Sequence, residues 1–92
     1  MISRTRDLQR NFRAIIYSAT KKCKRPTSIS RHIATKLQKY VVNRDIFSYK
    51  CSELDGVVTV DIRLTSMSAI PEFIYTIDTN KKTGYEGTKL AI

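Results

Sequence analysis

The stretch DGVVTVDIRLTSMSAIPEFIYTID, residues 55–78, decides the fold because apolar residues recur at every second position in two of its runs. They are Val58, Val60, Ile62 and Leu64 in the first run and Phe73, Tyr75 and Ile77 in the second. Strict alternation of this length is typical of half-buried β-strands. The stretch therefore predicts two strands, at about 57–65 and 72–78. The link between them, residues 66–71, ends in Pro71, which cannot donate to a strand ladder.

A third run with the same period precedes this stretch. Phe47, Tyr49 and Cys51 alternate with polar neighbours, which predicts a first strand and favours a core position for Phe47. The segment ELDG, residues 53–56, contains an Asp-Gly pair, which favours a tight hairpin turn. Three strands leave two open edges, and exposed edges can pair with other chains.

Two helices are predicted before the strands, each with one apolar stripe. The stripes are Leu8, Phe12, Ile15, Ile16 and Ala19 in the first helix, and Ile29, Ile33, Leu37, Tyr40 and Val41 in the second. The first helix is expected to end in residues 21–26, since Pro26 disfavours helical geometry at Arg25. The second is expected to start near residues 27–30, where Ser or Thr can cap it, and to end near Asn43.

The predicted fold class is α+β, with two N-terminal helices packed on a small three-stranded, mainly antiparallel sheet with open edges. A chain of 92 residues suits one domain, which we place at residues 1–78. The polar segment 79–92 is predicted to be a C-terminal arm. The expected core includes Ile33, Leu37, Val60, Ile62 and Phe73.

Charge is distributed unevenly along the chain. Residues 1–44 contain 12 Lys and Arg and a single acid, Asp7, for a net charge of +11. Residues 45–92 contain 5 basic and 7 acidic residues, for a net charge of −2. This asymmetry favours a polyanionic partner or head-to-tail attraction between copies, and its alternative explanation is a solvated basic helix surface.

Catalysis is not predicted. The sequence has no glycine-rich nucleotide loop, no HExxH and no GxSxG, and His32 has no evident partner in a base–nucleophile pair. Cys23 and Cys51 show no metal-ligand spacing, so we expect no cofactor and no metal; free thiols are favoured over a disulfide. No apolar run approaches the roughly 20 residues of a membrane span, and the charged N-terminus lacks the apolar region of a signal peptide.

Nucleic-acid binding is the alternative function to be weighed. A basic half can neutralise phosphates, and exposed aromatic rings can stack on bases. The aromatic candidates are Tyr17, Tyr40, Phe47 and Tyr49. No RRM, KH, OB or double-stranded-RNA signature accompanies them, so this function is not the favoured one.

The segment from about 28 to 78 resembles the C-terminal domain of contractile phage tail sheath proteins. In that family a helix precedes strands of the types Y-x-V-x-C-D and V-x-V-x-I, and a Pro-containing link precedes E-F-I-x-x-x-I. The corresponding stretches here are Phe47–Cys51 (FSYKC), Val58–Ile62 (VTVDI) and Pro71–Ile77 (PEFIYTI). The loop after the first strand is shorter than the Asp- and Asn-rich loop usual in the family.

A chain of little more than this domain is similar to the baseplate sheath-initiator proteins. The Glu-Pro-Arg that often follows the helix in that family is replaced here by Val42-Asn-Arg-Asp45. The resemblance implies a structural component of a contractile tail, made in the bacterial host cytoplasm and located in the virion tail. It implies sheath, baseplate and tube proteins as partners, with copies in a ring whose sheets are completed by strands of neighbouring subunits.

Residues on the first helix and third strand are predicted to bind protein. Arg6, Arg10 and Arg13 lie off the apolar stripe of the first helix, where they would speed association with an acidic surface. Ile74 and Thr76 alternate with the apolar run of the third strand and are assigned to contacts with a neighbouring subunit.

The arm supplies the remaining predicted binding residues, Tyr85, Leu90 and Ile92. Gly84 and Gly87 make this segment costly to order alone, whereas its apolar side chains can be buried in a groove on a neighbour. We therefore expect residues 79–92 to contribute little to the fold and to order on an adjacent subunit's sheet.

Overall fold

The computed structural model describes residues 4–67, 69–80 and 87–90. The helices are α1, Arg4–Lys22, and α2, Pro26–Val42; the strands are β1, Ser48–Leu54, β2, Val57–Arg63, β3, Phe73–Asp78, and β4, Gly87–Leu90. The strands form one antiparallel sheet in the order β1-β2-β3-β4. The predicted α+β class is confirmed, with both helices and the three predicted strands present. No helix in these residues has the length and apolar character needed to cross a membrane.

Proline sets the boundary between the two helices. Arg25 is extended, with φ −89° and ψ 142°, as a residue before proline prefers, and Pro26 occupies the first turn of α2. The expected Ser or Thr cap is not used, since Arg25 is the N-cap and makes no side-chain cap bond. At the other end Asn43 is the C-cap, as predicted, and its N–H donates to the Lys39 carbonyl.

The Asp-Gly hairpin is present as predicted. Leu54 pairs with Val57, which leaves a two-residue loop of Asp55 and Gly56 with φ values of 53° and 81°. Two successive positive φ angles are the signature of a type I′ turn, whose twist matches that of the flanking strands. The turn is tied to the end of β3, because the side-chain Nδ2 of Asn80 donates to the Asp55 carbonyl at 2.9 Å.

The core lies between the helices and the inner face of the sheet. Register places Val60 opposite Tyr75 and Ile62 opposite Phe73. The inward side chains of β2 and β3 are all 0% exposed, and the five residues of the expected core, Ile33, Leu37, Val60, Ile62 and Phe73, are buried. Such complete burial of alternating side chains stabilises this pair of strands by roughly 1.5–3 kcal/mol per large apolar residue.

Phe12 joins both helices to the sheet. Its ring meets Tyr40 of α2 edge-on at 5.3 Å between centroids and Phe73 of β3 at 5.4 Å. Tyr75 lies 6.4 Å away in the same orientation. Edge-to-face pairs of this kind add about 0.5–1.5 kcal/mol each beyond the area they bury, so the apolar face of α1 is anchored at its centre.

The predicted core position of Phe47 is wrong. Its side chain is 48% exposed, and the Arg63 guanidinium carbon lies 5.3 Å from the ring centroid. The physical reason is the chain's exit from α2: Arg44 adopts φ 63°, Ile46 takes the buried position at 2% exposure, and β1 begins only at Ser48. The inward and outward alternation of side chains in the structure therefore begins after Phe47, although the sequence pattern includes this residue.

A fourth strand extends the sheet beyond the prediction of three. Gly87–Leu90 pairs with β3, placing Leu90 opposite Phe73 and Gly87 opposite Thr76. This differs from the expectation that the whole arm orders on a neighbour, because these four residues pair within their own chain. An uncovered β3 would leave a row of unpaired backbone groups, and β4 satisfies them.

Candidate protein-binding surfaces

The β1 edge, the side of Ser48–Leu54 that faces away from β2, has no strand beside it in the described residues. Its backbone groups can be assigned from the hairpin. Because Leu54 and Val57 flank a two-residue loop, they form a hydrogen-bonded pair, and bonded and non-bonded pairs then alternate along the ladder. The backbone groups of Tyr49, Cys51 and Glu53 therefore point away from β2 and line the β1 edge.

Exposed apolar side chains lie near both ends of this edge. Leu54 is 75% exposed at the turn, and Phe47 is 48% exposed just before the strand. Phe47 also borders an open groove of about 460 Å³, whose other lining residues are Val41, Arg44, Ile46, Leu64 and Thr65. Exposed large apolar side chains beside an unpaired strand edge are features of a protein-binding surface.

Ile74 and Thr76 do not lie on an open edge. The structure places them on the outer face of the sheet, opposite Asp61 and Thr59 of β2. β4 covers the backbone of β3 on the other side. These two predicted binding residues are therefore available only to a partner that packs against the face of the sheet.

The structure brings Arg6, Arg10 and Arg13 together on the exposed side of α1, at successive helical turns. The same row continues with Tyr17, which is 56% exposed, and Lys21, whose Nζ lies 4.8 Å from the Tyr17 ring centroid. We call these five residues the α1 stripe. Sequence reasoning grouped the three arginines but missed their continuation, although the spacing 6, 10, 13, 17, 21 marks a single helix face.

The predicted arm residues are only partly placed. Leu90 belongs to β4, whereas Tyr85 and Ile92 lie outside the described residues. Thr79, at the start of the predicted arm, donates its N–H to the Gly56 carbonyl at 2.9 Å. The beginning of the segment is thus fixed to the hairpin of its own domain.

The two thiols and the histidine have distinct environments. Both cysteines are free. Burial raises the pKa of Cys51 to about 11; a hydrogen bond with Ser30 acts in the opposite direction, and the carboxylates of Glu53 and Asp61 raise the pKa further. Cys51 is therefore protonated at neutral pH and is a poor nucleophile. Across the described part of the chain, no three His, Cys, Asp or Glu side chains are grouped so as to hold a metal ion.

His32 lies on α2, half-buried, with its Nε2 atom shielded from solvent and without a hydrogen-bond partner among the described residues. Burial lowers the pKa of His32 below its usual value, and the cations Lys36 and Lys22 lower it further. The imidazole is therefore held neutral at neutral pH, first by burial and then by the neighbouring cations.

These features define a two-layer α+β domain with an uncovered sheet edge at β1 and a basic helical surface. Comparison with protein-family models, with curated protein sequences and with solved structures finds no significant match.

Proposed function

We propose that this chain is a structural subunit of a contractile phage tail, a sheath initiator or a sheath-like component, that joins neighbouring subunits by β-strand addition at the β1 edge. The observation that carries the proposal is the uncovered edge of β1, with outward backbone groups along Tyr49–Glu53. A strand added there gains backbone hydrogen bonds, while alternating side chains set its register. Its role is assembly rather than catalysis.

The resemblance to the sheath C-terminal domain supports the choice of a tail. Its three matching stretches correspond to β1, β2 and β3, and the helix that precedes them corresponds to α2. We propose sheath, baseplate and tube proteins as partners, with copies of this chain arranged in a ring. The genes for such proteins are expected beside the gene for this chain.

A proline substitution on the edge tests strand addition. In Glu53→Pro the lost N–H is one that points away from β2, so the domain's own ladder keeps all its bonds. We expect Glu53→Pro to stay folded by circular dichroism yet to fail to enter rings when mixed with sheath and baseplate proteins of the same phage. The matched control, Glu53→Ala, removes the same carboxylate and should assemble normally.

Electron microscopy and co-sedimentation measure the outcome. Normal incorporation of Glu53→Pro would exclude the β1 edge as the joining surface. Loss of incorporation in both variants would assign the effect to the carboxylate rather than to the backbone.

The α1 stripe is proposed to guide docking on an acidic partner surface. Changing Arg6, Arg10 and Arg13 together to Gln should leave thermal stability nearly unchanged, because exposed charges contribute about 0–1 kcal/mol each. It should slow association at low salt, as complementary charge acts mainly on the on-rate. The control variant changes Lys24, Arg25 and Lys39 together to Gln and so removes the same charge elsewhere. Equal association rates for the two variants would show that only total charge matters.

Nucleic-acid binding remains the second candidate, favoured by one observation. The exposed aromatic ring of Tyr17 lies within a row of cations, the combination used by proteins that bind single strands. This function predicts a shift of single-stranded DNA in gels at low salt, lost steeply as salt rises. Absence of a shift at low salt would exclude it.

A further inference from the structure

A groove on the helical layer is separate from both surfaces described above. It has a volume of about 440 Å³ and is lined by Cys23, Ser28, Arg31, His32, Thr35 and Lys36. One of these residues belongs to the link between the helices and the others to α2. None belongs to the sheet, so the groove can act whether or not the β1 edge binds a neighbour.

Helical spacing places five of the groove's lining residues on one face of α2. Ser28, His32 and Lys36 follow one another at intervals of four residues, and Arg31 and Thr35 form the adjacent row. Residues four apart lie above one another on a helix surface, so the two rows present their side chains side by side.

The groove is positively charged without local compensation. Arg31 and Lys36 line it, and no carboxylate is among its lining residues. Lys22 of α1 lies close enough to lower the pKa of His32. In the sequence no Asp or Glu occurs between Asp7 and Asp45. Uncompensated cations facing one concave surface raise the local concentration of anions.

Hydrogen-bond donors accompany the charge. The Thr35 hydroxyl already donates to the Arg31 carbonyl at 2.9 Å, whereas the exposed Ser28 hydroxyl is not engaged by any described residue. An arginine, a lysine and a hydroxyl around one concave surface match the several oxygens of a phosphate group better than the two oxygens of a carboxylate.

We propose that this groove binds a phosphate group. Arg31 and Lys36 supply the charge, Ser28 donates a further hydrogen bond, and His32 becomes protonated more readily once the anion is present, because a nearby negative charge favours imidazolium. Binding and protonation are therefore linked: phosphate raises the pKa of His32, and the part of the affinity that imidazolium contributes is lost as pH rises and His32 loses its proton.

The chain's single histidine makes the proposal directly measurable. The ring signals of His32 in a proton–carbon NMR spectrum are unambiguous, since the chain contains only one His. Inorganic phosphate should shift these signals saturably and raise the pKa of His32 by more than sodium chloride at equal ionic strength, which acts only by screening the nearby cations. Identical titrations in the two salts would overturn the proposal.

Matched charge removals separate the groove from general electrostatics. Arg31→Gln and Lys36→Gln should each weaken phosphate binding about tenfold, the loss of one charged hydrogen bond. Lys39→Gln removes the same charge from the same helix outside the groove and should change affinity by less than about twofold. Equal weakening by Lys39→Gln and Lys36→Gln would overturn a specific site.

Two further probes identify the source of the phosphate. Adenosine monophosphate and a single-stranded DNA oligonucleotide are each titrated against the His32 signals in the wild-type chain and in Lys36→Gln. A Lys36-dependent shift with both probes assigns the groove to a nucleic-acid backbone; a shift with the mononucleotide alone assigns it to a small phosphorylated molecule. Failure of both, together with failure of inorganic phosphate, overturns the proposal.

Discussion

β1 and β2 have the same length, seven residues, and both alternate along the sequence, yet they occupy different environments. β2 has a neighbour on each side, and its inward residues Val58, Val60 and Ile62 are 0% exposed. Among the described residues β1 has one neighbouring strand, and its inward Tyr49 and Cys51 are only half-buried. Alternation therefore identifies the two faces of a strand but not its position in the sheet. The central strand stabilises the fold, and the edge strand remains available for binding.

The largest effect on stability is expected from Ile62→Ala in β2. Removing a fully buried isoleucine side chain should lower the free energy of unfolding by about 2–5 kcal/mol. Denaturant unfolding measures the change, with Tyr49→Phe, on the facing position of β1, as a mild control. A loss below about 0.5 kcal/mol would mean that β2 does not stabilise the fold more than an exposed site does.

A smaller effect is expected at Gly56, in the turn that joins the two strands. Gly56 has φ +81°, and a Cβ there would lie 2.8 Å from the Asn80 side-chain nitrogen. Gly56→Ala should cost about 1–2 kcal/mol from the left-handed backbone alone.

The contact with Asn80 can be separated from the backbone strain. Asn80→Ala removes the hydrogen bond to the Asp55 carbonyl and should cost about 1 kcal/mol. If Gly56→Ala costs as much in this background as in the wild type, backbone strain is the whole effect. A much smaller cost there would assign it to the contact.

Cys51 should tolerate substitution better than its counterparts in β2. It lies opposite Val60 but is only half-buried, and its neighbour Ser30 can also bond a hydroxyl. Replacing both cysteines by Ser should cost about 1 kcal/mol in denaturant unfolding. A loss above about 3 kcal/mol would place β1 among the strands on which the fold depends.

The fold was predictable where local signals agree with packing. The Asp55-Gly56 turn and the alternation of β2 and β3 specify the hairpin and the sheet's inner face. Phe47 was misplaced because alternation continues in the sequence through a residue where the chain is still leaving α2. β4 was not identified as a strand because Gly87–Leu90 is short and shows no alternation of its own, and its pairing depends on β3.

The candidate surfaces were predictable only in part. The arginines of the α1 stripe and the exposed edge follow from helix period and strand count. Identifying the groove required the structure, because tertiary packing brings Cys23 from the link beside residues of α2. The polar rows Ser28-His32-Lys36 and Arg31-Thr35 were visible in the sequence as a helix face, but spacing alone does not show that the face is concave.

The smallest effect on stability is expected from Leu54→Ala, at the exposed end of β1. Leu54 is 75% exposed and faces the outer side of the sheet opposite Val57, so its truncation should change the free energy of unfolding by less than about 0.5 kcal/mol. If β1 is the joining strand, the same change should weaken ring assembly, because a partner strand or its flanking residues would cover this side chain. Ser52→Ala, two residues earlier on the same face, is the control. Denaturant unfolding and co-sedimentation of both variants separate the outcomes. A stability loss above about 1 kcal/mol for Leu54→Ala would show that Leu54 packs within its own domain. The difference between β1 and β2 in their contribution to stability would then be smaller than the exposure of their side chains indicates.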